Sequence, residues 1–263
     1  GGAAQPGATP CVAVETPAGL FVFDAGSGLA DLSRALLKEG TRKAVWIFLS
    51  HFHPAHVQGL GAFPCLREEG FSVKIGGPND PELSLEDGVR EALAAAPKDL
   101  GAVTARMELF EFEEGDYDVA PGVKLSAFYA NHPMTTLGYR LEAAGRVIVY
   151  CPDSEVCGEG ARALQDYDQV LARACRDADL LIHDARFSPK DYPSKKGHGH
   201  SNLMDAAGFA ARAGVGRVLL FHLDASYSDE ALAALEKDAR AQLREKGFGI
   251  DCSIAREGTQ LTL

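Results

Sequence analysis

Three histidines, His51, His53 and His56, fall within six residues of one another in Phe48-Leu-Ser-His-Phe-His-Pro-Ala-His-Val-Gln-Gly59. Neutral imidazole is the commonest nitrogen ligand for zinc and its neighbours. The whole chain of 263 residues has eight histidines, so this grouping reads as part of a metal site rather than as three unrelated loop residues. Alternation along an extended backbone puts His51 and His53 on one side. A turn at Pro54, with a helix starting near His56, brings the third imidazole round to the same centre.

The other five histidines each lie beside a strand end or a glycine. His132 follows an apolar run in Asn131-His-Pro, and Asp153 follows another in Tyr150-Cys-Pro-Asp. His183 and Asp184 end a third run, His222 ends a fourth, and His198 and His200 sit in Lys196-Gly-His-Gly-His-Ser201. Each alone reads as structural. Together they place a potential ligand at four or five separate strand ends, where α/β proteins expose side chains for chemistry. Asp24, at a strand end before Ala-Gly-Ser-Gly28, is either a helix cap or an acceptor that orients a ligand imidazole.

The elements that must position these groups follow from the apolar pattern. Residues 11–15 and 20–23 read as a hairpin around Thr16-Pro-Ala-Gly19, 31–38 as an amphipathic helix stopped by Gly40, and 44–49 as a buried strand. Beyond the histidines, 57–66 reads as a helix, 71–75 as a strand, and 83–96 as a helix opened by Ser84 with Asp87 three residues on. Strands are expected at 107–112 and 123–129, with the acidic stretch 111–118 as a solvated turn, and a hairpin at 137–142 and 146–150. Helix–strand alternation follows: helix 163–173, strand 180–183, helix 203–213, strand 218–221, a long helix from Ser228 to about 245, and strands at 250–254 and 260–263. Trp46 reads as core. Two β-rich stretches with helices outside predict an α/β (α+β) chain built as a four-layer αββα sandwich. Residues 1–10 read as a flexible lead-in and 11–263 as one domain.

The formal charge is −11 and 46% of residues are hydrophobic. Such a balance disfavours nucleic acid and anionic membrane as partners, since phosphate backbones reward clustered Lys and Arg. It leaves room for a small anionic substrate held by a metal, with a homodimer as one possible assembly. No run approaches the ~18 apolar residues of a membrane span. Six cysteines without C-x-x-C spacing read as reduced, mostly buried thiols of a cytoplasmic protein.

In its motifs the chain resembles the metallo-β-lactamase superfamily, most closely its phosphodiesterase-like branch, which includes the ribonuclease Z type. FDAGSG, SHFHPAHVQG, NHPMTTLGYRLE, YCPDSE, LLIHDARFSP, GHGHSN and LLFHLDASYSDE fall in that family's order. The resemblance implies the αββα fold. It implies one metal held by His51, His53 and His132, Asp153 shared between two metals, and His56 with His222 serving the second. Asp24 would stand behind a ligand histidine, and Asp184 with His200 would act near the leaving group. Arg186 and Tyr192 are candidates to touch substrate. No counterpart to the family's strand ahead of residue 11 is expected within these residues.

One position departs from the family. Its H-x-H-x-D-H carries a carboxylate where this chain has Ala55, and a methyl group cannot ligate. The expectation is therefore one tight ion, zinc or else manganese or iron, with a weakened second site that restoring Asp at 55 should strengthen. The implied activity is hydrolysis, most of all of a phosphodiester. The metal lowers the pKa of water to ~7, Asp153 serves the reaction centre, and His200 held by Asp184 assists the leaving group. Ala55 implies an impaired or mononuclear enzyme. A lactone or thioester hydrolase, or a non-catalytic regulatory member of the fold, are the alternatives.

Overall fold

The computed structural model describes residues 9–96, 100–156 and 165–263. Most of the expected lead-in, Cys157 and the start of the helix expected at 163 lie outside the described residues. The chain divides into two compact units.

The first unit comprises Ala8–Glu113 with Ala120–Gly122. Its sheet runs β1 (Val12–Thr16), β2 (Gly19–Phe23), β3 (Ala44–Phe48), β4 (Ser72–Pro78) and β5 (Arg106–Phe112), in that order. The first pair is the antiparallel hairpin read from Pro17 and Gly19, and the rest are parallel. One face of the sheet buries Val22, Val45, Ile47, Val73 and Ile75 against α1 (Leu29–Glu39) and α3 (Leu85–Ala94). Leu29, Leu36, Leu85 and Val89 recur at helical spacing and supply the opposing apolar stripe. The other face carries an aromatic row in which Phe48 stacks on Phe21 and Trp46. Trp46 is half-buried there, under the Lys74 ammonium, rather than deep in the core. Ser84 caps α3 by accepting from the Asp87 N–H, as its spacing predicts.

Residues 57–66 do not form one helix. A short helix, α2, spans Pro54–Val57, and turns lead from it to a 3-10 segment at Pro64–Arg67. Gly59 and Gly61 break the helical pattern, and Pro64 restarts the chain in a new direction. Gly59 has a further reason to be glycine: a Cβ there would lie 2.2 Å from the Gly26 carbonyl oxygen. The Gly59 N–H donates to the Ala25 carbonyl at 2.7 Å, stitching the histidine loop to the Asp24 turn.

The second unit comprises Glu114–Val119 and Val123–Leu263. Its strands are β6 (Gly115–Ala120), β7 (Val123–Tyr129), β8 (Leu137–Ala143), β9 (Arg146–Cys151), β10 (Leu180–Asp184), β11 (Arg217–Phe221) and β12 (Asp251–Ile254), neighbours in the order of the chain. From β7 to β9 the pairing is antiparallel and from β9 to β12 parallel. Helices α4 (Gln165–Ala174), α5 (Leu203–Ala213) and α6 (Asp229–Glu245) accompany the parallel half. Leu203, Ala206, Ala207 and Ala210 of α5 are fully buried in the cluster that holds Leu181, Val218 and Leu220. Each unit is thus a mixed sheet with its own helices.

Two expectations fail here. The acidic stretch at 115–120 is strand β6: Asp116 and Asp118 face solvent while Val119 is buried, a period of two that the acidic composition hides. Residues 260–263 form no strand and are largely exposed. The described cysteines are free thiols, and Cys65, Cys151, Cys175 and Cys252 are buried as expected.

His183 leaves the group of candidate ligands. On β10 it shares the helix-covered side with Leu181, its ring near Phe209, while its Nδ1 donates to the Asp184 carbonyl at 2.7 Å. Burial pushes its pKa from the ordinary 6.5 down to about 4. Below pH 6.5 the unfolded chain therefore binds a proton at this imidazole that the folded chain refuses. The contribution to stability is fully present above that pH and is lost as pH falls through about 4, a difference of roughly 3 kcal/mol. His183→Gln should flatten the decline in urea midpoint between pH 7 and pH 4.5 relative to the parent; identical declines would refute the assignment.

Candidate metal centre

In the first unit the histidines occupy the loop that leaves β3. The three rings lie together: centroids are 4.2 Å apart for His51 and His56, 6.1 Å for His51 and His53, and 6.4 Å for His53 and His56. His51 and His56 are buried and His53 is exposed at the start of α2. Behind them sits Asp24, fully buried, in left-handed backbone conformation with φ 57°. Its carboxylate accepts from the Ser50 N–H at 2.7 Å, the Ser50 hydroxyl at 2.9 Å and His56 Nδ1 at 2.7 Å. With its proton on Asp24, the Ser50 oxygen accepts from His51 Nδ1 at 3.0 Å. One carboxylate thus sets the tautomer of two imidazoles, directly for His56 and through Ser50 for His51. Of the two readings of Asp24, cap or orienting acceptor, the second is the one observed.

In the second unit, His132 follows β7 and its Nδ1 donates to the Gly199 carbonyl at 3.0 Å. Its Nε2 lies 4.0 Å from Asp153 Oδ2, and the other carboxylate oxygen of Asp153 lies 3.3 Å from His222 Nδ1. Asp153 stands just beyond β9 and is buried. Asp184, at the end of β10, is fully buried and takes His200 Nδ1 at 2.6 Å. Burial pushes the Asp184 carboxyl well above the usual carboxylate range, against the opposing pull of the Arg186 and Ser154 backbone N–H groups. Asp153, Asp184 and His200 each offer a ligand atom within 4.8 Å of the others. His222 follows β11 in left-handed conformation, φ 56°, and its Nε2 meets Arg186 Nη1 at 3.0 Å.

The donors fit a cation. His51, His56 and His132 have Nδ1 tied to an oxygen, which fixes Nε2 as the nitrogen for ligation, the arrangement that protein oxygens impose on metal-bound imidazoles. Imidazole and carboxylate in combination suit zinc and its neighbours.

Several contributors are absent from the sequence reading. Ser50 is one. Glu155 is another: buried, it accepts from the Tyr192 hydroxyl at 2.7 Å, the Gly197 N–H at 2.9 Å and the Gly199 N–H at 3.0 Å. That clamp fixes the loop bearing His200 and the carbonyl that receives His132. A Cβ on Gly199 would lie 2.3 Å from Pro133 and 2.6 Å from His132 Nδ1, and its φ is +79°. Tyr192 is therefore tied to this clamp, and His198 on the same loop is exposed. A carboxylate two residues past Asp153, with a glycine-rich loop much later in the chain, is a faint signal in sequence.

Among curated proteins the chain is similar to ribonuclease BN of Escherichia coli, 24% identical, over 86% of this chain and 85% of the relative. Among solved structures it is similar to a diphosphatase from the PhnP family, with TM-score 0.67 and 17% identity over 97% of this chain and 84% of that one. It is also similar to the Zn²⁺-bound PqqB of Methylobacterium extorquens, with TM-score 0.67 and 16% identity over 96% and 87%. These likenesses carry the metallo-β-lactamase fold across both units. Residues 20–223 match the beta-lactamase superfamily domain, so this chain belongs to that family and is a metallo-β-lactamase-fold hydrolase distantly related to ribonuclease BN.

Proposed function

We propose that the protein is a metal-dependent phosphodiesterase in which His51, His53, His132 and Asp153 hold one tight cation. When bound, that cation supplies Lewis acidity and a water acidic enough to ionise near neutral pH. Zinc is the first choice, since imidazole and carboxylate donors suit it and a relative of the same fold binds it.

The observation that carries the reading is the His200–Asp184 pair. Cleaving a phosphodiester expels an alkoxide, and an alkoxide leaves only when protonated or otherwise stabilised. His200 is anchored through Nδ1 on a buried carboxylate at 2.6 Å, with Asp153 as the next acidic neighbour. With Nδ1 tied to Asp184, Nε2 is the ring nitrogen left to pass a proton to the departing oxygen. Asp153 meets His132 on one side and His222 on the other, so it positions both imidazoles. Two similar proteins are named a ribonuclease and a diphosphatase, which favours phosphorus over a carbonyl centre.

The test is a substrate panel with zinc-loaded protein: bis(p-nitrophenyl) phosphate, cyclic nucleotides and acyl lactones. Turnover of phosphodiesters at least tenfold above that of lactones is expected. The reverse order would make the protein a carbonyl hydrolase, and no turnover of any, with no metal retained, would make it a binding protein on the same fold.

A further inference from the structure

Three of the family-motif histidines turn Nδ1 to a protein oxygen, and so does His222, which differs in what its Nε2 meets. Its Nδ1 faces Asp153 Oδ1 at 3.3 Å and its Nε2 meets Arg186 Nη1 at 3.0 Å. A guanidinium is always charged and has no lone pair, so in that contact the imidazole nitrogen is the acceptor. A lone pair engaged by an N–H is withheld from a cation. The same Nη1 lies 3.4 Å from His200 Nε2. The guanidinium is held in place by Asp224, 3.5 Å from Nε, and by the Phe187 ring beneath it at 5.7 Å. The Arg186 N–H donates to Asp184, which fixes its backbone as well. Its side chain is 35% exposed, so the charge is reachable from solvent.

We infer that the Arg186 guanidinium stands in for the second cation and receives an anionic oxygen of the substrate, an inference that rests on the phosphodiesterase reading. Two independent departures point the same way. The motif carboxylate is Ala55, and the imidazole that would serve a second ion is already spoken for by Arg186. The charges agree: a divalent ion with one carboxylate carries a net single positive charge, and exchanging the carboxylate for Ala55 and the ion for Arg186 keeps that charge. The planar fork of N–H donors matches two phosphoryl oxygens, which makes arginine the natural side chain for this exchange.

Metal content decides the matter apart from turnover. Protein stripped with chelator, reloaded with excess Zn²⁺ and desalted should hold close to one ion per chain, and Ala55→Asp alone should stay near one. The pair Ala55→Asp with Arg186→Ala should approach two. Two tight ions in Ala55→Asp alone would overturn the inference, as would a single ion in the double variant. In the otherwise unchanged chain, Arg186→Ala should lower kcat on a phosphodiester by about 10²–10³-fold, the usual effect of removing one charge-stabilising donor. Arg186→Lys, which keeps the charge and loses the fork, should fall between. A change under twofold in Arg186→Ala would also overturn it. If the parent turns over no phosphodiester, the functional reading fails while the ion counts still decide what Arg186 replaces. Circular dichroism identical to the parent separates these outcomes from misfolding.

Discussion

Asp153→Asn should leave a folded protein that no longer retains a tight ion and whose turnover of phosphodiesters falls by on the order of 10³-fold or more. Loss of a residue that merely orients a ligand typically lowers metal affinity or activity ~10–100-fold, and loss of an anionic ligand itself should exceed that. Asp153 is buried between two imidazoles, 4.0 Å from His132 Nε2 and 3.3 Å from His222 Nδ1. An amide of the same shape preserves the packing while removing the charge that makes cation binding favourable. Elemental analysis after chelation and reloading, beside a thermal melt without metal, separates the two contributions. Unchanged ion content in Asp153→Asn would remove this residue from the metal centre.

The second large effect concerns the leaving group. His200→Ala should slow hydrolysis of alkyl phosphodiesters by ~10²–10⁴-fold, the usual contribution of a positioned proton donor. Bis(p-nitrophenyl) phosphate, whose nitrophenolate departs without a proton, should lose less than about tenfold. Asp184→Asn should follow the same divided pattern, because Asp184 holds the His200 imidazole at 2.6 Å. A plot of log kcat against leaving-group pKa should therefore steepen in both variants. Equal losses on both substrate classes would remove His200 from proton transfer and leave it as a contact for binding.

What could be read in advance was whatever local spacing encodes. The triad His51, His53 and His56 lies on one short loop, so its convergence follows from alternation and one turn. Strands and helices with long apolar periodicity, such as α5 and β11, were equally plain. Failures came where composition masked periodicity, as in β6, where aspartates occupy the solvent side of a real strand. The stretch from Val57 to Leu66 fails for another reason: Gly59 is there for the close approach of the Ala25–Gly26 backbone, a demand set by contact rather than by neighbours in sequence. The contact of Arg186 with His222 depends on β10 and β11 lying parallel, with Asp184 opposite Phe221. No spacing rule reveals a register between segments so far apart. Ser50 and Glu155 are legible only once their acceptors and donors are known, since serine and glutamate are common in loops.

The loop from Tyr192 to Gly199 opens with a 3-10 turn at Tyr192–Ser194, and its two ends converge on the single carboxylate of Glu155. Residues 193–196, between those moorings, face solvent. That span is free to drift in sequence or to accept grafted residues, because neither His132 nor His200 is oriented by it. Diversification of what this scaffold admits to its reaction centre is therefore cheapest there, a few residues from the chemistry but mechanically insulated from it.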